Sequence, residues 1–260
     1  MKPRAIWLIG KSVLIESIRR REIYAIVLIA CLIIGTVMTL DFFGLEGLTK
    51  FYRETALTIM SITTALTVIV LAARQLPREF TNRTIYPLLA KPVSRLTFLF
   101  GKLLGVMLAA AFCFALFMTV YVIGSYYLHG AIPWPLFAQY IYLQLVSMLI
   151  LATLSFWLSM ILNLDAAITI AVIFYLTAAT FTSITTYIYH LVGPAQRAIL
   201  LICNYALPQL TLFDLSEKTV HDEVWHPLSL GVMTALTAYA LVFAALYFSL
   251  AMLSFRRRPL

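Results

Sequence analysis

Charged residues are scarce in this sequence. Asp, Glu, Lys and Arg make up 12% of its 260 residues, against about 25% in soluble domains. Apolar residues account for 62%, where a soluble domain has roughly 45–50%. A soluble protein of this length needs more polar residues to cover its surface. The composition therefore excludes a soluble enzyme, a disordered chain and a fibrous repeat, and it predicts a protein whose outer surface faces lipid.

Cysteine and histidine are also scarce. The three cysteines form neither a disulfide framework nor a paired metal-ligand spacing. The best candidate set of metal ligands is His221 and His226, with Asp222 and Glu223 between them. Their spacing does not place both rings on one helix face, so we predict a solvated loop here and no metal site.

The sequence contains no motif for catalysis or for nucleotide binding. It has no H-E-x-x-H or G-x-S-x-G pattern and no carboxylate in its long apolar stretches, so an intramembrane enzyme is not expected. It has no selectivity-filter pattern of a channel. It also has no G-x(4)-G-K-[ST] phosphate loop, the pattern that cradles ATP in many ATPases. We expect no enzyme activity and no cofactor on this chain.

The sequence does have six apolar stretches of membrane-spanning length. About 20 apolar residues cross a bilayer core of roughly 30 Å as a helix. The stretches contain no Asp, Glu, Lys or Arg, so every charge is expected in a loop or a tail. The predicted fold class is an all-α polytopic membrane protein with a single domain over residues 1–260. The predicted spans are 23–40, 56–73, 103–123, 141–161, 166–188 and 230–252.

The distribution of basic residues predicts the orientation. Of the 19 Lys and Arg residues, six lie in residues 1–21, six in residues 74–102 and three in residues 256–258. Basic residues flanking spans mark the cytoplasmic side, so both termini are predicted to be cytoplasmic, in the inner membrane. An even number of spans agrees with this. Basic residues that set the membrane orientation account for the net charge of +8, so no nucleic-acid partner is expected.

The N-terminal tail has an amphipathic pattern. Apolar Ile6, Trp7 and Leu14 recur among basic residues such as Lys11 and Arg19. We predict that residues 1–21 form an interfacial helix that contacts membrane lipid. The alternative is an ordinary basic flank of the first span.

Residues 74–102 lie on the predicted cytoplasmic side. Their regular pattern of prolines, apolar residues and basic residues indicates more than a simple loop between two spans. Pro87 and Pro92 interrupt helix there, and Ser94 is a plausible N-cap for a helix that continues into span 3. Apolar Leu88 and Leu89 alternate with basic residues, which is typical of a short helix that docks into another protein. The alternative is a surface loop that anchors to lipid headgroups.

This segment resembles the stretch E-x(4)-T-x(3)-L-L-x-K-P-V-S-R-x(5)-G-K of ABC-2 type transporter permeases, in their short six-span subgroup. A second, weaker match to the same family is residues 207–215, with Pro208, Phe213 and Gln209 in place of the more usual Asn. The matching positions of the first stretch are Glu79, Thr84, Leu88, Leu89, Lys91, Pro92, Val93, Ser94, Arg95, Gly101 and Lys102.

The resemblance implies a permease that pairs with a second copy or a paralogue and with two separate ABC ATPase subunits, which bind ATP and Mg. The turn at Asp165 is then a second, smaller ATPase contact. The residues that the resemblance assigns to the main coupling contact are Arg78, Glu79, Arg83, Thr84, Leu88, Leu89, Lys91, Pro92, Ser94 and Arg95.

The resemblance also places the substrate route along spans 2 and 5, which are rich in hydroxyl groups, with Thr63, Thr67, Thr177 and Thr180 as candidates. The alternative is that these hydroxyls bond back to their own helix. Because the spans carry no charge, the expected cargo is amphipathic or lipid-like. Within the outer segment 189–227, Pro208 and Phe213 are assigned to an outer gate, and residues 195–206 are expected to form a gate helix or a surface helix.

Two functions remain open at this level. The first is a permease that couples ATP hydrolysis on a separate subunit to export. The second is a mechanical transmitter, which uses ATPase strokes to move an extracytoplasmic protein and carries no cargo itself.

Overall fold

A computed structural model describes residues 3–19, 21–37, 44–81 and 94–257. Within these ranges the chain forms helices and no strand, which confirms the predicted all-α class. Helices suit an apolar chain in lipid because they satisfy every interior backbone hydrogen bond within one segment. The elements are α1 (Pro3–Ile18), α2 (Arg21–Val37), α3 (Gly44–Thr81), α4 (Arg95–Tyr127), α5 (Trp134–Ile161), α6 (Leu164–Ile188), α7 (Pro194–Ala206), a 3₁₀ turn (Leu210–Phe213), α8 (Ser216–Val220) and α9 (Leu230–Arg257).

Four of these helices, α3, α4, α5 and α9, are long and apolar enough to cross a membrane, as judged over the described residues. Helices α2 and α6 contain shorter apolar stretches, Val27–Thr36 and Leu164–Ala178. Each of these six helices overlaps one of the predicted spans. The chain is a multi-pass membrane protein, and its number of six spans stays a prediction.

Contacts at both ends of the bundle fix the direction of α4 relative to α3. Tyr52, near the start of α3, stacks on Tyr121, near the end of α4. Glu79, near the end of α3, contacts Lys102, near the start of α4. The two helices therefore run antiparallel. We call the end where α3 finishes and α4 begins the basic end of the bundle.

Helices α5 and α9 run in the same direction as α3. The Tyr140 hydroxyl of α5 donates to the Leu57 carbonyl of α3, and one turn later the Gln144 amide donates to the Ser61 hydroxyl. The Gln139 amide at the start of α5 bonds the backbone of Leu228, just before α9. Near their other ends, Trp157 of α5 stacks on Tyr247 of α9. All three helices consequently finish at the basic end.

Helices α2 and α6 each connect the two ends of the bundle. Cys31 and Gly35 of α2 line the same cavity as Tyr127, at the end opposite the basic end. The 25 residues of α6 rise by about 37 Å. Helix α6 begins three positions after α5 ends, and it contacts the 3₁₀ turn, where Phe213 packs on Tyr239 near the start of α9.

The expectation that every charge lies in a loop or a tail is wrong. Arg53 lies in α3 and Lys102 lies in α4, and their exposed fractions are only 5% and 4%. The predicted spans 56–73 and 103–123 are shorter than α3 and α4, because apolarity alone marks the bilayer core and not the helical turns that continue beyond it. In these extra turns a charge is buried by neighbouring elements instead of by lipid.

Helix α1 packs closely against the start of α4. A Cβ atom at Gly105 would lie 2.5 Å from the Val13 Cβ, and one at Gly101 would lie 2.8 Å from the Ile9 Cβ. This small-xxx-small spacing lets two helices approach closely. The predicted N-terminal helix is thus confirmed as a helix. One face of it contacts protein, while Trp7 remains 55% exposed on the face that is predicted to meet lipid.

Candidate functional site

The helix ends that flank residues 82–93 are joined by a buried ion pair. The Lys102 ammonium of α4 lies 2.5 Å from a Glu79 carboxylate oxygen of α3. It also donates to the Gln75 side-chain oxygen at 3.4 Å and lies 5.8 Å from the centre of the Phe98 ring. Two residues of the predicted coupling motif are therefore in direct contact at the base of the segment.

The Lys102–Glu79 ion pair is largely buried. Taking a lysine out of water is costly unless an opposite charge and hydrogen bonds compensate for the lost hydration. Here Glu79 and Gln75 provide both, so any movement that separates α3 from α4 at this level exposes an uncompensated charge. The pair joins the two flanking helices, and we refer to it as the clamp.

Ser94 begins α4 as an N-cap. Its backbone is extended, and its hydroxyl accepts a hydrogen bond from the Thr97 backbone N–H at 3.2 Å. A capping hydroxyl of this kind contributes about 1 kcal/mol to helix stability. The cap predicted from the sequence is confirmed, and it fixes where the segment ends and the helix begins.

Arg95 connects the start of α4 to the end of α9. Its guanidinium donates to the Arg256 carbonyl at 3.1 Å and to the Phe255 carbonyl at 3.4 Å. It also lies 5.7 Å from the centre of the Phe255 ring. The last carbonyls of a helix carry partial negative charge, so a cation is favourable here. Arg95 therefore links the start of α4 to the end of α9.

Two further predicted coupling residues lie at the same end. Arg78 forms an exposed ion pair with Glu16 of α1 at 3.1 Å, which contributes at most about 1 kcal/mol. Asp165 is exposed in the first turn of α6, where its carboxylate favours the positive helix N-terminus. Both are placed where a partner on this side can reach them. The predicted coupling residues Arg83, Thr84, Leu88, Leu89, Lys91 and Pro92 lie outside the described residues, and their role stays a prediction.

The four candidate pathway threonines lie on α3 and α6. The Thr67 hydroxyl donates to the Thr63 carbonyl at 2.8 Å, and the Thr180 hydroxyl donates to the Leu176 carbonyl at 2.9 Å. These hydroxyls bond back to their own helices, as the alternative reading expected. Thr67 is buried, whereas Thr177 and Thr180 are exposed. A pathway role stays a prediction for all four.

The predicted outer-gate residues are buried at the end opposite the basic end. Phe213 packs its ring 6.2 Å from that of Tyr239 on α9. The Gln209 backbone N–H, next to buried Pro208, donates to the Tyr239 hydroxyl at 3.0 Å. The 3₁₀ turn therefore packs against α5 and α6 and against Tyr239 of α9, and its role as a gate stays a prediction. Pro194–Ala206 forms the expected helix before it.

Arg53 was not singled out from the sequence. Its guanidinium donates to the Thr219 carbonyl of α8 and to the Tyr121 hydroxyl of α4 at 3.4 Å, and it lies 3.6 Å from the Asp222 carboxylate. It thus fastens the outer segment to α3 and α4. An arginine beside an apolar run was the signal available, but its partners are distant in the sequence, with Tyr121 68 positions away and Thr219 166 positions away.

The sequence was compared with known protein families and with curated proteins. The model of a family described as "ABC-2 family transporter protein" matches residues 7–260. No curated protein matches the chain.

Proposed function

Because this chain belongs to the ABC-2 family of transporter proteins, and so is a membrane permease component of an ABC transporter, we propose how it works. A separate ATPase contacts residues 82–93, and its ATP-driven movement switches the six-span bundle between inward-facing and outward-facing states. Two such ATPases serve a pair of permeases, and the result is export across the inner membrane. Both chain termini lie on the ATPase side.

The observation that carries this proposal is how the segment is anchored. On one side it emerges from α3 next to the Glu79–Lys102 ion pair, and on the other it enters α4 at the Ser94 cap. Arg95 adds the end of α9. We therefore expect a push on residues 82–93 to act on α3 and α4, which the ion pair joins, and on α9, which Arg95 links to the start of α4.

The proposed cargo is amphipathic or lipid-like. The two buried charges described above, Arg53 and Lys102, lie toward opposite ends of the bundle, and each has an oppositely charged partner. Between them the buried polar side chains of α3 and α5 are hydroxyls and amides, such as Ser61 and Gln144. A route lined by such polar but uncharged side chains favours a molecule with an apolar chain and a polar head over a hydrated ion.

The test is to purify the tagged chain from its native membrane and measure ATP hydrolysis by the subunit that co-purifies. Charge reversal at Arg95, or truncation of Leu88 and Leu89 to alanine, is expected to detach or uncouple that ATPase while membrane insertion stays normal. The matched control is Lys50→Gln, which removes an exposed cation at the opposite end. Unchanged co-purification and hydrolysis in the coupling variants would contradict the proposal.

A second candidate, the mechanical transmitter, is supported by the outer surface. Val224 is 72% exposed and Trp225 is 45% exposed in the loop after α8, an apolar pair that a soluble protein outside the membrane can bind. The two candidates differ in one measurement. A transmitter hydrolyses ATP without lipid-like cargo leaving the vesicle, whereas a permease loses cargo in proportion to the ATP consumed.

A further inference from the structure

An apolar groove runs along the outer surface of the bundle between α4, α5 and α9. Its volume is about 410 Å³, and residues from all three helices line it, among them Leu96, Leu149, Thr153 and Ala245. The Phe100 and Phe248 rings also line it, with centroids 4.4 Å apart. On α9 the groove is bordered by Leu241, which is 53% exposed. The groove therefore opens toward lipid and not toward the bundle interior.

The groove points toward a cluster of arginines at the basic end. Its lining residues on α9 extend from Leu241 to Ser249, a rise of about 12 Å along the helix axis. Arg256 lies about two turns beyond Phe248 on the same face, with Arg257 next to it in sequence, and both are exposed. Arg95, next to the lining residue Leu96, is held at the carbonyls of the same helix end. An apolar slot thus leads directly to positive charge at headgroup level.

We propose that this groove binds one acyl chain of an anionic phospholipid whose phosphate is held by Arg256 and Arg257. The inference is independent of the transport cycle, and it assigns a lipid site that belongs to the leaflet on the C-terminal side. Charge complementarity selects the occupant, since juxtamembrane arginines attract anionic headgroups over zwitterionic ones.

The shape of the groove argues against a second copy of this chain as the occupant. A helix with its side chains is about 10–12 Å across, whereas packed neighbouring helices lie only about 8–10 Å apart from axis to axis. A stable protein interface also buries roughly 800 Å² on each partner. A single flexible chain fits the slot, whereas a helix can only lie across it.

The test uses the full chain in nanodiscs made from equimolar phosphatidylglycerol and phosphatidylcholine with identical acyl chains. Native mass spectrometry then measures which lipid stays bound after the nanodisc is removed. We expect the wild type to retain phosphatidylglycerol roughly tenfold over phosphatidylcholine. R256Q/R257Q is expected to lose this preference, and Ala245→Phe, which fills the groove from an exposed position, is expected to lose the bound lipid.

The matched control is R4Q/K11Q, which removes two exposed cations of α1 at the same end of the bundle and is expected to keep the preference. Equal retention of both lipids by the wild type would overturn the proposal, as would unchanged preference in R256Q/R257Q. A change of oligomeric state in Ala245→Phe without any change in bound lipid would identify the groove as a protein interface and overturn it as well. Thermal unfolding of each variant confirms that it is folded.

Discussion

The Lys102 ammonium lies 2.5 Å from the Glu79 carboxylate, so α3 and α4 are clamped directly at the base of the segment proposed to meet the ATPase. The two residues are 23 positions apart, and residues 82–93 lie between them. Whatever moves those residues acts on both helices.

Removing one partner of this pair is expected to destabilise the protein strongly. Lys102→Met leaves Glu79 partly buried without its cation, which costs about 3–5 kcal/mol. The double variant Lys102→Met/Glu79→Gln removes both charges and should recover more than half of that loss. Denaturant unfolding of the wild type, both single variants and the double variant in detergent measures the coupling. If Lys102→Met alone leaves the unfolding midpoint unchanged, the pair is not a clamp.

The Arg53 contacts predict that the outer segment is released when this side chain is shortened. Arg53→Met loses hydrogen bonds of a charged group, each contributing about 1.5–3 kcal/mol, so trypsin should cleave at Lys218 in α8 roughly ten- to a hundredfold faster. Lys50→Gln is the control, because its ion pair with Glu223 is exposed on both sides and contributes little. Equal cleavage rates in Arg53→Met and the wild type would show that other contacts hold the segment.

The packing of α1 depends on Gly105. A side chain there meets Val13 and the Gly10 carbonyl at 2.5 and 2.7 Å, so Gly105→Val is expected to displace α1 and cost about 1–3 kcal/mol. Hydrogen exchange should increase throughout α1. Gly35→Ala serves as the control, since its added methyl group meets open space. Unaltered exchange in Gly105→Val would mean that α1 is not held by this crossing.

The two readings of the pathway threonines are separated by Thr180→Val. Its hydroxyl bonds to its own helix, so the substitution should change the unfolding free energy by less than about 1 kcal/mol. If the route passes this face, transport falls severalfold while stability is unchanged. Thr119→Val, which removes a similarly bonded and exposed hydroxyl on α4, should leave transport intact. Equal transport in both variants would remove Thr180 from the route.

Features that depend only on residues close together in the sequence could be predicted. Ser94 was identified as a cap because its role depends on the three residues that follow it. Helix Pro194–Ala206 was expected because its pattern and the proline after it are also local.

The long-range contacts were not predictable from the same reasoning. Nothing in the sequence connects Arg53 to Thr219, or shows that Glu79 and Lys102 of one motif contact each other. Those pairings depend on how α3 and α4 align, which is determined by packing along their whole length. The buried charges were missed for the same reason, because hydropathy does not show which turns beyond the bilayer core another element covers.

The most direct test of the central claim is cross-linking from the segment itself. A single cysteine at Leu88, in an otherwise cysteine-free chain, is coupled to a photoreactive probe in the complex with the ATPase, with and without ATP and vanadate. We expect cross-links to the ATPase whose yield changes at least severalfold when nucleotide is trapped, and none from a probe at Ser12 on the exposed face of α1. A segment that never cross-links to the ATPase, in any nucleotide state, would contradict the account.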